Sequence, residues 1–162
     1  MSRYLGAVVV TLAAVGGLSA QVEIDRILQR VGDQVITQLD VRRARLLKLV
    51  PAAATTDADI QRELENHWLM VAEVVRFNPA APDEAALAGE RDRWRAQFDT
   101  AEDMAALLVR AGSTDAELDA WFTDLIRIHA YLANRFGMVP AEDRQAAIDD
   151  WVQGLRARAG LR

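Results

Sequence analysis

Nucleophilic catalysis needs a hydroxyl or thiol within reach of a base that a third group holds in place. Few residues of this sequence could supply one. There is no cysteine, which removes thiolate nucleophiles, disulfides and thiolate metal sites together. Beyond residue 20 the only serine is Ser113, and its place at a helix start is explained by capping. His67 and His129 are the only imidazoles, and neither belongs to an HExxH or ExxH pattern, the spacing that puts two metal ligands on one helix face. Glu63 and His67 lie one turn apart and could pair or hold a metal weakly; a pair on a helix surface is the preferred reading. Lys48, the sole lysine, sits in RRARLLK, where a solvated face or an acidic partner fits better than a Schiff base. Asp57-Ala-Asp59 lacks the downstream Gly and Glu of a calcium loop, and no GxxxxGK or glycine-rich loop follows a strand. The carboxylates gather at helix starts and on polar faces. The residues therefore argue against an enzyme, and no metal or cofactor site is expected.

The elements that could position any function begin with a leader. Residues 1–20 carry one charge, Arg3, followed by the uncharged run Leu5 to Leu18 and the small residues Ser19 and Ala20. This reads as a secretory signal cleaved after Ala20, with cleavage after Ser19 as the alternative, so that the mature chain starts near Gln21. The run is shorter than the roughly 20 residues a membrane span requires, and no other uncharged run approaches that length, so no stable span is expected after processing. The chain of 162 residues is 51% hydrophobic and 27% charged, a composition suited to one globular unit over residues 21–162. Its net charge of −5 lacks the footprint of a nucleic-acid binder.

Within the mature chain, IDRILQRVGDQVITQLDV places aliphatic residues on both sides of Gly32-Asp33, the pattern of a short β-hairpin. Thr37 and Asp40 have T-x-x-D helix-start spacing, which predicts a helix from Gln38 to Val50 that Pro51 ends. Ile60, Leu64, Trp68, Val71 and Val75 then form one apolar stripe on a helix that starts at Asp57 or Asp59 and stops near Phe77. Asp83 caps a third helix with Leu87, Trp94 and Phe98, and Thr100 with Asp103 opens a short fourth that Gly112 closes. Thr114 and Glu117 begin the longest and most apolar helix, which carries Leu118, Trp121, Leu125, Leu132 and Phe136 and is expected to be the central one. A last helix over 141–155 presents Ile148, Trp151 and Leu155. The expected fold is mainly α, with a short N-terminal β-hairpin.

Aromatic residues at helical spacing usually form core, and Trp68, Leu125, Leu132 and Trp151 are assigned to it. A small exported helical domain with surplus apolar surface also suits a protein that holds extended apolar peptides. Trp94, Phe98, Met104, Leu108 and Trp121 are the candidate peptide contacts, with Met70 and Met138 as further adaptable surface.

The segment IDRILQRVGDQVITQLDVRRARLLKLV resembles the start of the SurA family of periplasmic chaperones: an aliphatic strand, a tight turn at Gly32-Asp33, a second strand ending at Thr37, then Asp40 and a helix. The order of elements to Phe136 is similar to the rest of the SurA N-terminal domain, and AIDDWVQGLRARAGL (147–161) looks like the helix and strand with which such chains return to that domain. The resemblance implies that Arg156 to Leu161 forms a third strand beside the hairpin. Only ten residues separate Phe136 from Ala147, too few for the family's parvulin isomerase domains. What it implies is a periplasmic holdase without cofactors whose partners are unfolded or partly folded envelope proteins, outer-membrane barrel precursors among them. The alternatives are an adaptor gripping one folded envelope partner and, with less support, a peptidyl-prolyl isomerase.

Overall fold

The computed structural model of the chain describes residues 25–77 and 79–161; the segment expected to be a leader, residues 1–20, lies outside them. Strands β1 (Ile27–Val31) and β2 (Gln34–Thr37) form an antiparallel hairpin, with a bulge where Ile27 and Gln29 pair with Thr37 and Ile36. Gly32 takes φ 57 at the first position of the two-residue turn, where glycine has no Cβ to clash. Along β2, Ile36 is buried against the helices while its neighbours Val35 and Thr37, on the opposite face, are half-buried.

Helix α1 (Gln38–Leu46) opens with the expected capping box: Thr37 N–H donates to Asp40 Oδ2 at 2.9 Å, and Asp40 N–H donates to Thr37 Oγ1 at 3.2 Å. It ends four residues before the predicted Val50, because Lys48 turns left-handed at φ 51. Leu49 N–H then reaches back to the Ala44 carbonyl at 2.9 Å. A lysine holds a place that favours glycine. Its ammonium lies 4.6 Å from the Phe98 ring centre and donates to the Gln97 carbonyl, which ties the end of α1 to the segment after the third helix.

Helix α2 (Asp57–Val75) starts from a second box, Thr56 with Asp59. It touches α1, both strands, and two helices from the end of the chain, α5 (Asp115–Phe136) and α6 (Ala141–Arg158). This makes α2 the hub, in place of the long α5 helix that its apolar content suggested. Helices α3 (Glu84–Arg95) and α4 (Ala101–Ala111) pack beside α5 and α1. Arg91 joins α3 to α5 through paired bonds of 2.6 Å to both Asp119 oxygens, and within α3 it donates to Glu84 at 2.9 Å. The guanidinium holds the Asp119 carboxyl below the usual range.

Thr114 caps α5 reciprocally with Glu117 (Thr114 N–H to Glu117 Oε2, 2.8 Å; Glu117 N–H to Thr114 Oγ1, 3.2 Å). Thr114→Ala should cost about 1 kcal/mol by removing one half of the box. Urea unfolding at neutral pH would read this as a lower midpoint with an unchanged slope.

The expected C-terminal strand does not form. Helix α6 continues through Arg158, three residues past the predicted end, until Gly160 turns left-handed at φ 70 and Leu161 N–H returns to the Arg156 carbonyl at 3.0 Å. Arg156 is thus a helical residue facing the interior, and the sheet among the described residues has two strands. The end of the chain still closes on the hairpin, because Leu161 packs on the cluster that contains Val31 and Ile36.

Candidate functional site

Two apolar clusters form the interior. The first joins the hairpin, α1 and α2 to Leu155 of α6; the second joins Leu47 at the end of α1 to Trp94, Ala111, Leu118 and Phe122. Leu49 and Trp121 pack on both. At this seam lies a cavity of about 320 Å³. That is near the lower end of the roughly 300–1,000 Å³ common for binding pockets. Leu47, Leu64 and Leu118 are its buried walls, and the half-buried Trp68 and Trp121 meet edge to face there with ring centres 6.3 Å apart. The Trp121 indole N–H is buried and has no acceptor among the described residues. Buried donors are nearly always paired, so this one marks a place where an acceptor is lacking.

The polar lining comes from the hairpin, from the starts of α1 and α5 and from further along both helices. Gln34 and Glu117 are exposed, while Asp40, Arg43, Ser113 and Asp124 are half-buried. Arg43 donates from Nε to the Ala111 carbonyl and from Nη2 to the Gly112 carbonyl, each at 2.8 Å, so its charge serves the C-terminal end of α4. The Thr114 backbone N–H, with smaller help from Ser113 and Arg43, lowers the Glu117 carboxyl. Burial pushes the Asp124 carboxyl up, and Arg127 at 3.9 Å offsets this only in part.

Behind the tryptophans lies a polar layer that apolar periodicity did not reveal. His67 is 4% exposed and stacks on Trp121 with ring centres 3.7 Å apart and planes 17° from parallel. It is not the surface partner of Glu63 that the spacing suggested. Burial holds its pKa down to about 3, so the ring is neutral. Next to it Glu65 and Arg156, 5% and 4% exposed, form a 3.0 Å ion pair between α2 and α6. Gln61 donates to the other Glu65 oxygen at 2.9 Å and Arg156 donates to Asn66 Oδ1 at 3.0 Å. Among the described residues no cluster of three or more His, Asp or Glu could hold a metal ion.

Comparison with family models, curated proteins and solved structures finds no match for this chain. The site therefore stands on its own geometry. Of the candidate peptide contacts, Trp121 lines the seam cavity. Trp94 is 5% exposed and donates from Nε1 to the Leu47 carbonyl at 2.6 Å, a bond that makes it a support of the second cluster. Phe98 and Met104 line a smaller hollow of about 190 Å³ between the end of α3 and the start of α4, and Leu108 packs half-buried on the second cluster. Trp68, Leu125, Leu132 and Trp151, assigned to the core, are all half-buried. Trp68 and Trp151 pack on the first cluster and Leu125 on the second. Met138 is 97% exposed, and no described helix is long and apolar enough to cross a membrane. Ser113 is not the cap of α5, a place that Thr114 holds; its hydroxyl donates to the Glu117 carboxylate at 3.1 Å.

Proposed function

We propose that the chain is a periplasmic holdase that shields apolar segments of unfolded envelope proteins, outer-membrane barrel precursors among them. Their aromatic and aliphatic side chains would enter the cleft between the two clusters. The observation that carries this reading is the seam cavity walled by half-buried Trp68 and Trp121 between the two apolar clusters. The resemblance of the hairpin-to-helix segment to SurA-type chaperones supports the same role.

Magnitudes favour holding over tight recognition. Burying roughly 150 Å² of one aromatic side chain is worth about 4 kcal/mol, equivalent to a millimolar Kd before the cost of association. One cleft therefore retains nothing for long. A client must also lie across neighbouring apolar surface such as Phe98, Met104 and Leu108, and it leaves once its own fold buries those side chains. No nucleotide or metal enters this cycle, and the reading assigns no catalytic role.

Dilution of a urea-unfolded outer-membrane barrel protein into buffer tests the proposal by light scattering. An equimolar amount of the chain should slow aggregation several-fold, and Trp121→Ala, with its helical circular dichroism retained, should lose most of that effect. Unchanged aggregation at tenfold excess, together with tight binding to one folded envelope protein, would favour the adaptor reading instead.

A further inference from the structure

The charges around the seam cavity narrow what it would hold, and this step rests on the function just proposed. Three carboxylates, Asp40, Glu117 and Asp124, and one cation, Arg43, line the space beside Trp68 and Trp121. Arg43 is committed to the Ala111 and Gly112 carbonyls. The capping bonds of α1 and α5 all fall on one oxygen of each capping acid: Oδ2 of Asp40 accepts from Thr37, and Oε2 of Glu117 accepts from Ser113 and Thr114. No hydrogen bond among the described residues reaches Oδ1 of Asp40 or Oε1 of Glu117. Among the described residues the one ion-pair contact of Asp124 is that with Arg127 at 3.9 Å, although Asp124 is half-buried. The cavity thus combines aromatic walls with carboxylate oxygens that can still accept from a cation.

We infer that the cleft selects extended segments in which an apolar side chain stands next to a Lys or Arg. The apolar side chain enters between Trp68 and Trp121, and the neighbouring cation rests on the acidic lining. A Glu or Asp in the same place would meet like charges in a partly desolvated setting, where repulsion is stronger than at an open surface. The chain's net charge of −5 adds a long-range attraction of the same sign.

Three fluorescent peptides that differ only in the residue beside a central Phe (Lys, Gln or Glu) test this by anisotropy at low salt. The Lys peptide should bind about tenfold more tightly than the Glu peptide, with Gln between them, the scale expected from two or three half-exposed charges. The difference should shrink by more than half in 0.5 M salt. Asp124→Lys should narrow or reverse the order, and the milder Asp124→Asn should reduce the Lys preference if the lysine variant does not fold. Equal affinity for all three peptides would overturn the selection while leaving the holdase reading intact. A Lys preference untouched by either folded variant would overturn its assignment to this cavity. Failure to bind any of the three would overturn the holdase reading and the selection with it.

Discussion

Replacing Arg156 with methionine should destabilise the chain by about 3–5 kcal/mol, a fifth or more of the roughly 5–15 kcal/mol typical of a domain. The substitution keeps much of the side-chain volume and removes the charge. It leaves the Glu65 carboxylate inside the α2–α6 contact with Gln61 as its remaining hydrogen-bond partner. The large cost comes from that abandoned charge, since a well-made buried pair contributes little net stability against an apolar replacement. Changing both partners, Glu65→Leu with Arg156→Met, should therefore recover most of the loss. Urea midpoints for the wild type, the two single variants and the double variant form the required cycle. A cost below about 1 kcal/mol for Arg156→Met would mean that α6 does not dock on α2 through this pair.

Acid should weaken the fold well before the carboxylates titrate, and His67 is the reason. Its native pKa of about 3 lies below the 6.5 of an exposed histidine. Between those values the unfolded chain binds a proton that the native chain excludes, so stability rises with pH across the window and is complete above it. Lowering the pH from 7.5 to 5 should remove about 2 kcal/mol, and approaching pH 3 should remove about 4–5 kcal/mol in all. The lowered carboxyls of Asp25, Asp59, Glu117 and Asp119 contribute only as they protonate near and below pH 4, and Asp124, pushed up by burial, works in the opposite sense, so the loss of stability in the upper part of the window belongs to the histidine. His67→Phe keeps a flat ring against Trp121 and should flatten the dependence between pH 5 and 7.5. Parallel stability curves for wild type and variant would contradict the assignment.

Both effects arise where the sequence was hardest to read. Helix starts were legible because a T-x-x-D or T-x-x-E pattern is a local device, and Thr37, Thr100 and Thr114 cap where they were expected to. The hairpin was legible for the same reason, through Gly32 and the aliphatic alternation around it. Helix ends were less so: α1 stops at a left-handed lysine, a place that no turn rule assigns to that residue, and Gly154 lies within α6 while the actual stop is Gly160. The hub was missed because an apolar stripe describes only one face of α2. Glu65 and His67 read as solvated on that pattern, yet they are buried because α5 and α6 arrive from distant sequence with Trp121 and Arg156. Val75 and Phe77, by contrast, belong to the periodic pattern or its edge and are 55% and 62% exposed, although the Phe77 ring still lies 5.3 Å from that of Tyr131 on α5. The seam cavity is a tertiary feature of the same kind, since residues from four elements line it. Its one local signal was a tryptophan on each of α2 and α5.

The proposed role is tested most directly by a photoreactive residue placed at Ala120, an exposed position on the cavity lining. Irradiation with a purified outer-membrane barrel protein, unfolded in one sample and folded in the other, should give a crosslinked product with the unfolded protein alone. A photoreactive residue at Met138, exposed and outside the cavity lining, should give much less. Equal yields from the two positions, or crosslinking only to the folded protein, would contradict the seam cavity as a client-holding site.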